Sequence, residues 1–270
     1  MHDLITTIVL GIVEGATEFL PISSTGHLII VNQWLSFDPD FTKTFDIVIQ
    51  LGAILAVVWH FWARLMPFRK NEAGQWQMSR SIISLWKKVI VGVIPAIILG
   101  ALFGSKIEAA LFNPIVVACA LIIGGIILII AEMMKRRETV LEVKDVSYGK
   151  SFAIGVIQCL SFIPGTSRSA ATIIGALFLG VARPAAVEFS FFLAIPTMVA
   201  ATGYSLLKTH LALSFHEVVL LILGLVVTFL VALVAIRWVM KYIQSHTFKP
   251  FGYYRIVLGV LVLALFFFFR

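Results

Sequence analysis

Residues Glu14 to His27 read EGATEFLPISSTGH, and this stretch decides the architecture of the chain around it. It sits within an otherwise apolar region from about Leu4 to Leu35 and breaks that region with two acids, a proline and a run of hydroxyl residues. Neither half of the region is long enough to cross a bilayer. A transmembrane helix needs about 20 mostly apolar residues, at roughly 1.5 Å each, against a hydrocarbon core of roughly 30 Å. Non-helical backbone at membrane depth is tolerated only where protein or a water-filled cavity satisfies its N–H and C=O groups. The stretch therefore predicts a re-entrant helical hairpin: a helix in, a polar turn, a helix out.

A second region of the same kind runs from about Phe152 to Val181 and is broken by PGTSRSAAT at Pro164 to Thr172. Six uninterrupted apolar stretches qualify as spans: about Thr44 to Trp62, Ile82 to Phe103, Asn113 to Met133, Ala185 to Leu207, Val218 to Met240 and Phe251 to Phe269. The fold class expected is an all-α polytopic membrane protein with six transmembrane helices plus two re-entrant helical hairpins. Composition agrees, because 60% hydrophobic and 13% charged residues in a chain of 270 leave too little polar surface to face water on all sides.

The formal charge of +7 would suggest a polynucleotide partner in a soluble protein. Here the basic residues sit in short connections between apolar runs, so they read as topology signals and no nucleic-acid partner is expected. Arg64, Arg69, Lys70 and Arg80 follow the first span, Lys135, Arg136, Arg137, Lys144 and Lys150 the third, and Lys241 and Lys249 the fifth. The opposite side offers only Lys43, Lys106 and Lys208. Because short cytoplasmic loops are enriched in Lys and Arg, this asymmetry puts both termini and the mouth of the first hairpin outside the cytoplasm. The second hairpin then enters from the cytoplasm. No Lys or Arg precedes Lys43, so the basic start of a secretory signal peptide is missing and the first apolar region is expected in the mature fold. Cys119 and Cys159 lie in apolar stretches without a CxxC or a His at ligand spacing and read as packing residues.

The halves resemble each other faintly. FLPISS at Phe19 to Ser24 is similar to FIPGTS at Phe162 to Ser167, Phe45 and Phe189 follow at nearly the same offset, and Phe112-Asn-Pro114 echoes Phe248-Lys-Pro250. One membrane domain, 1–270, is thus expected to contain two repeat halves, about 1–134 and about 150–270, each a hairpin plus three spans. An odd number of spans inverts the second half, and inverted repeats with broken helices carry their site near the midplane at the repeat interface.

Ionisable groups at membrane depth are costly and by default mark function. Glu14 and Glu18 stand four residues apart, on one face of a helix, and such close like charges need a cation or a shared proton. A divalent cation, Mg²⁺ or Ca²⁺, fits, since Mg²⁺ is commonly held by one or two carboxylates plus substrate phosphates. Ser23, Ser24, Thr25 and Gly26 supply hydroxyls and flexible backbone at an expected helix N-terminus, where N–H groups point at an anion. His27 comes within reach of Ser24 if the second helix begins near Thr25, which would pair a hydroxyl nucleophile with a base. In the second hairpin Arg168, flanked by Ser167 and Ser169 and followed by Thr172, offers a fork of donors matched to phosphate oxygens. Structural readings stand beside these: an ion pair between the acids and Arg168, serine helix caps, and a hydrogen-bonded interior histidine. Asp46, Gln50 and Glu188 read as supporting or interfacial residues, and His60, Glu132 and Arg183 as anchors at the membrane edges.

With these residues in view, the chain resembles the undecaprenyl-diphosphatase family of the BacA type over essentially its whole length. EGATEFLPISSTGH follows the family's first signature with both acids, both serines and the histidine in register. PGTSRSAAT follows the second, departing mainly at Ala170, where a Gly is common. The resemblance implies hydrolysis of a polyprenyl diphosphate lipid, undecaprenyl diphosphate, to the monophosphate and phosphate. It further implies recycling of the carrier of peptidoglycan synthesis, bacitracin tolerance, divalent-cation dependence, and an outward-facing site in the bacterial cytoplasmic membrane. By position it implies Glu14 and Glu18 as metal or acid–base carboxylates and Ser24 as the nucleophile, with His27 as its base or rival. Ser167, Arg168, Ser169 and Thr172 would be the phosphate clamp. Membrane lipid is an expected partner, and a homodimer is left open. A transporter or polyprenyl-phosphate flippase using the same midplane site is the alternative, and the Ser24/His27 pair, which transport does not require, separates the two.

Overall fold

The computed structural model describes the chain except for residues 71–73, 112, 135–136, 209–212 and 269–270. The first apolar region forms α1 (His2–Thr17) and α2 (Ser24–Val31), separated by a turn. Next come α3 (Pro39–His60), the short α4 (Trp62–Leu65), a ribbon of β1 (Phe68–Lys70) and β2 (Trp76–Met78), α5 (Arg80–Leu111) and α6 (Pro114–Met133). The second half consists of α7 (Tyr148–Gln158), α8 (Arg168–Phe178), α9 (Arg183–Lys208), α10 (Phe215–Tyr242) and α11 (Lys249–Phe268). Among the described residues six helices, α3, α5, α6, α9, α10 and α11, are long and apolar enough to cross a membrane, one for each expected span. The chain is a multi-pass membrane protein. The ribbon, with Phe68 opposite Met78, was not expected from the sequence.

Local sequence explains where the helices begin. Pro39 and Pro114 occupy first-turn positions of α3 and α6, where the missing N–H costs nothing. Ser214 opens α10 with a reciprocal cap: its hydroxyl accepts the Glu217 N–H at 3.3 Å while the Glu217 carboxylate accepts the Ser214 N–H at 2.7 Å. Large apolar side chains such as Ile94, Ile97, Ile222, Leu230 and Val257 remain exposed along the long helices, as expected where lipid is the solvent.

The packing crosses between the halves. α1 lies against α10, and α7 lies against α5. Both contacts depend on glycine: a Cβ on Gly155 of α7 would overlap the Gly92 carbonyl of α5, and one on Gly15 of α1 would stand 2.6 Å from the Thr228 carbonyl of α10. Without a hydrophobic drive between helices in lipid, such close backbone approach is what holds them together. α3 contacts α9 at the centre, α6 packs along α11, and α2 and α8 both reach α6. Phe19, at the first turn, sits in an aromatic core with Phe191, ring centroids 5.0 Å apart, and Phe61 crosses Phe192 at 5.2 Å.

Two acids expected among the membrane-edge or supporting residues are buried and form ion pairs with more exposed arginines. The buried Glu132 carboxylate accepts Arg183 Nε at 2.9 Å and Nη2 at 2.5 Å, and also the Phe248 N–H at 3.2 Å, tying α6 to α9 and to the start of α11. Glu188 pairs with Arg64 at 2.5 Å.

Candidate functional site

The two broken segments converge. α1 stays helical through Glu18, whose N–H reaches the Glu14 carbonyl at 3.0 Å, and this keeps both acids on one face. The chain then turns through Phe19 to Ser23. On the other side a 3₁₀ turn over Cys159–Phe162 and a loop lead to α8. Each following helix is capped by a serine: Ser23 Oγ accepts the Gly26 N–H at 3.4 Å and Ser167 Oγ accepts the Ala170 N–H at 3.2 Å. The remaining first-turn N–H groups of both helices lack intrahelical acceptors and carry partial positive charge, which suits an anion.

Glu18 joins the segments. Its Oε1 accepts Arg168 Nη2 at 3.0 Å, and its Oε2 accepts the Ser24 hydroxyl at 2.6 Å. Arg168 and Glu18 are each only 10% exposed in their side chains, so this pair is largely withdrawn from solvent. Arg168 Nη1 donates to the Ser190 carbonyl at 3.0 Å, and the guanidinium lies over the Phe19 ring at 5.6 Å. Its Nε has no partner among the described residues. Ser169 donates to the Leu20 carbonyl at 2.9 Å and lies 3.0 Å from Ser167 Oγ, while Thr172 Oγ1 is 2.6 Å from Ser190 Oγ.

Glu14 is fully buried, and neither carboxylate oxygen has a partner among the described residues. Asp46 lies within electrostatic reach of it and accepts Asn32 Nδ2 at 2.9 Å. Two acids, Glu14 and Glu18, thus share one guanidinium with Asp46 close by, a surplus of buried negative charge that a cation or proton must balance. Among the described residues no three His, Cys, Asp or Glu side chains are grouped to hold a metal by themselves. The donor set fits a hard cation that takes the Glu14 and Glu18 carboxylates and completes its shell with phosphate and water.

One expected partnership is replaced by another. Ser24 is itself the first residue of α2, and its hydroxyl is bonded to Glu18 rather than to His27. His27 Nδ1 lies 2.7 Å from the Ser23 carbonyl and Nε2 2.7 Å from the Tyr254 hydroxyl, with the two rings stacked at 5.6 Å. A carbonyl only accepts, so in the neutral ring Nδ1 carries the proton and Nε2 accepts from Tyr254. The physical reason is the turn, which folds Glu18 back over the start of α2. Thr25 is half-buried and Gly26 buried in the first turn of that helix. Of the structural readings, the ion pair with Arg168 is made by Glu18 and not by Glu14, Ser23 and Ser167 do cap, and His27 is hydrogen bonded on both sides.

Sequence reasoning missed Ser190, Met198 and Tyr254. A signal existed for Ser190, because matching Phe45 with Phe189 sets Ser190 opposite Asp46. Met198, whose Sδ lies 3.3 Å from Arg168 Nη2, and Tyr254 carried none.

A family model described as Bacitracin resistance protein BacA matches residues 7–261. Among curated proteins the chain is similar to one named Undecaprenyl-diphosphatase from Enterococcus faecalis, 47% identical over 267 residues, covering 97% of each chain. It is similar to Undecaprenyl-diphosphatase 1 from Clostridioides difficile at 48% over 267 residues, covering 98% of this chain and 97% of that one. A third relative, Undecaprenyl-diphosphatase 1 from Oenococcus oeni, is 49% identical over 269 residues, covering 97% and 96%.

Proposed function

The chain belongs to the bacitracin resistance protein BacA family, and from that premise we propose that it is a membrane-embedded undecaprenyl-diphosphatase, cleaving undecaprenyl diphosphate to the monophosphate and phosphate. The observation that carries the reading is the Glu18 carboxylate, which holds the Ser24 hydroxyl at 2.6 Å and the Arg168 guanidinium at 3.0 Å at once. A hydroxyl bonded to a carboxylate has its proton acceptor in place. Transport of an intact headgroup has no use for that pairing.

Ser24 Oγ attacks the terminal phosphorus, its proton passes to Glu18, and the bond from that phosphorus to the bridging oxygen breaks to release the lipid monophosphate. Water then attacks the phosphoserine, returning the Ser24 hydroxyl and releasing phosphate. Arg168 and the N–H groups opening α8 meet the charge spread over the phosphoryl oxygens, which is where most of the catalysis of phosphoryl transfer lies. Ser167, Ser169 and Thr172 hold that loop in place. Glu14 and Glu18 would hold a divalent cation, Mg²⁺ or Ca²⁺, which when bound neutralises phosphate charge. His27, fixed by Ser23 and Tyr254, stands at the edge of α2 as a polar neighbour of the entering headgroup.

The same reading makes α1–α2 and α7–α8 re-entrant hairpins of an inverted repeat. Three features support it: the matched serine caps, the hairpins packing across on the other half, and helices too short to span. The distribution of Lys and Arg supports an outward-facing site in the cytoplasmic membrane. Purified protein supplied with a C15 or C55 diphosphate and Mg²⁺ or Ca²⁺ should release inorganic phosphate. Full activity in a Glu18→Gln variant would overturn the assignment.

A further inference from the structure

Arg255, on α11, heads the fully buried side chains by volume and forms no ion pair among the described residues. Its guanidinium donates instead to four backbone carbonyls. Nη1 reaches Pro21 at 3.3 Å, Nη2 reaches Gly165 at 3.2 Å and Ala120 at 3.1 Å, and Nε reaches Leu121 at 3.3 Å. Pro21 belongs to the first turn, Gly165 to the second, and Ala120 and Leu121 to α6. Space for the group comes from Gly124, where a Cβ would overlap Nη2.

An unpaired cation inside a membrane protein is expensive, so it persists where its donors are all needed. The turn carbonyls need them. They lie outside any helix, at buried residues, and only a side chain with several donors in a fixed fork can serve two separate turns and a helix together. Pro21 stands three residues from both Glu18 and Ser24, and Gly165 stands three residues from Arg168. One rigid group therefore joins two points that each lie three residues from the reacting side chains of their segment.

We infer that Arg255 is a positioning residue, which locks the two turns in register so that Glu18 and Ser24 from one meet Arg168 from the other. This rests on the diphosphatase reading of that site. Misplacing reacting groups by about 1 Å costs on the order of 100-fold in rate. Lysine keeps the charge but not the fork, and methionine keeps only the packing.

The test uses the full chain purified in detergent as wild type, Arg255→Lys and Arg255→Met. Two readouts are taken: hydrogen–deuterium exchange of peptides covering residues 19–27 and 163–171, and phosphate release. Both turns should exchange on the order of 10-fold faster in the variants while α3 and α9 keep wild-type rates, as expected for local opening. The kcat should fall roughly 100-fold, and in an Arg168→Lys background the same change should cost less than about 3-fold more, because the two act through one geometry. Unchanged exchange in either turn, faster exchange throughout the chain, or equal losses with and without Arg168→Lys would each overturn the inference. Should the Met variant fail to fold, the Lys variant carries both readouts. If the wild type releases no phosphate, the diphosphatase reading falls while the exchange data still decide the role of Arg255.

Discussion

Ser23 and Ser167 share a backbone conformation that L-residues seldom adopt, φ 72° and 69°, and each stands at the head of the short helix that follows a break. Holding a non-glycine residue there costs about 1–3 kcal/mol, which the surrounding structure must offset. Glycine would adopt the same angles freely and as a cap loses only a few tenths of a kcal/mol, whereas alanine forfeits the cap, about 1 kcal/mol, and keeps the strain. Thermal unfolding in detergent should therefore rank glycine variants at both positions close to wild type and alanine variants below them. Equal melting of the two substitutions at either position would contradict this account.

Ser24→Ala and Glu18→Gln each remove one half of the hydroxyl–carboxylate pair. Each should lower kcat by roughly 100- to 10,000-fold, the usual worth of positioned proton transfer. The double variant should be hardly slower than the worse single one, since groups that act as a unit are not additive. Steady-state phosphate release with a C15 diphosphate measures all three.

Arg168→Lys keeps a positive charge but cannot reach the Ser190 carbonyl and Glu18 together as the guanidinium does at 3.0 Å each. A loss of roughly 100- to 1,000-fold in kcat is expected, the scale for removing one donor from a charge-stabilising site. A variant within 3-fold of wild type, an order-of-magnitude threshold well below that scale, would place the phosphate elsewhere.

Chelation should abolish phosphate release, and added Mg²⁺ or Ca²⁺ should restore it. The unpartnered Glu14 carboxylate makes the sharper test. Glu14→Gln keeps the shape and drops the charge, and it should raise the half-saturating Mg²⁺ concentration on the order of 10- to 100-fold. An unchanged metal titration would remove Glu14 from the cation's shell.

Glu132→Gln should weaken the fold and leave the chemistry alone. Breaking a buried pair by removing one partner costs about 3–5 kcal/mol. The Arg183 side chain is 33% exposed, so water recovers part of that and a loss of roughly 1–3 kcal/mol is expected. Melting temperature should fall while kcat per folded molecule holds.

The spans were legible because a stretch of some 20 apolar residues has few other uses, a length set by the bilayer. The members of the candidate site could be singled out because Glu14, Glu18, Ser24 and Arg168 are out of place in such surroundings, and the structure brings Glu18, Ser24 and Arg168 together. The partnerships were harder to read. Spacing pointed Ser24 toward His27, but the turn at Phe19 to Ser23 decides the matter, and its path follows from packing of Phe19 against Phe191 far along the chain. Glu132 and Arg183 read as separate edge residues because the chain between them hides that they meet. Arg255 carried the signal of a charge inside an expected span, and sequence reasoning passed over it; its partners could not be read, since they are carbonyls, which every residue carries.

The packing of α1 on α10 also bears on how the protein is made. α1 rests on α10, whose residues leave the ribosome some 200 positions later, a delay of about 10–40 s at the usual pace of synthesis. Throughout that interval the acid-bearing N-terminal segment has only α2 and α3 to rest on and lacks its most extensive contact. A nascent chain halted before α10 should remain open to extraction and proteolysis at its N-terminus, and productive insertion becomes an event of the finished polypeptide.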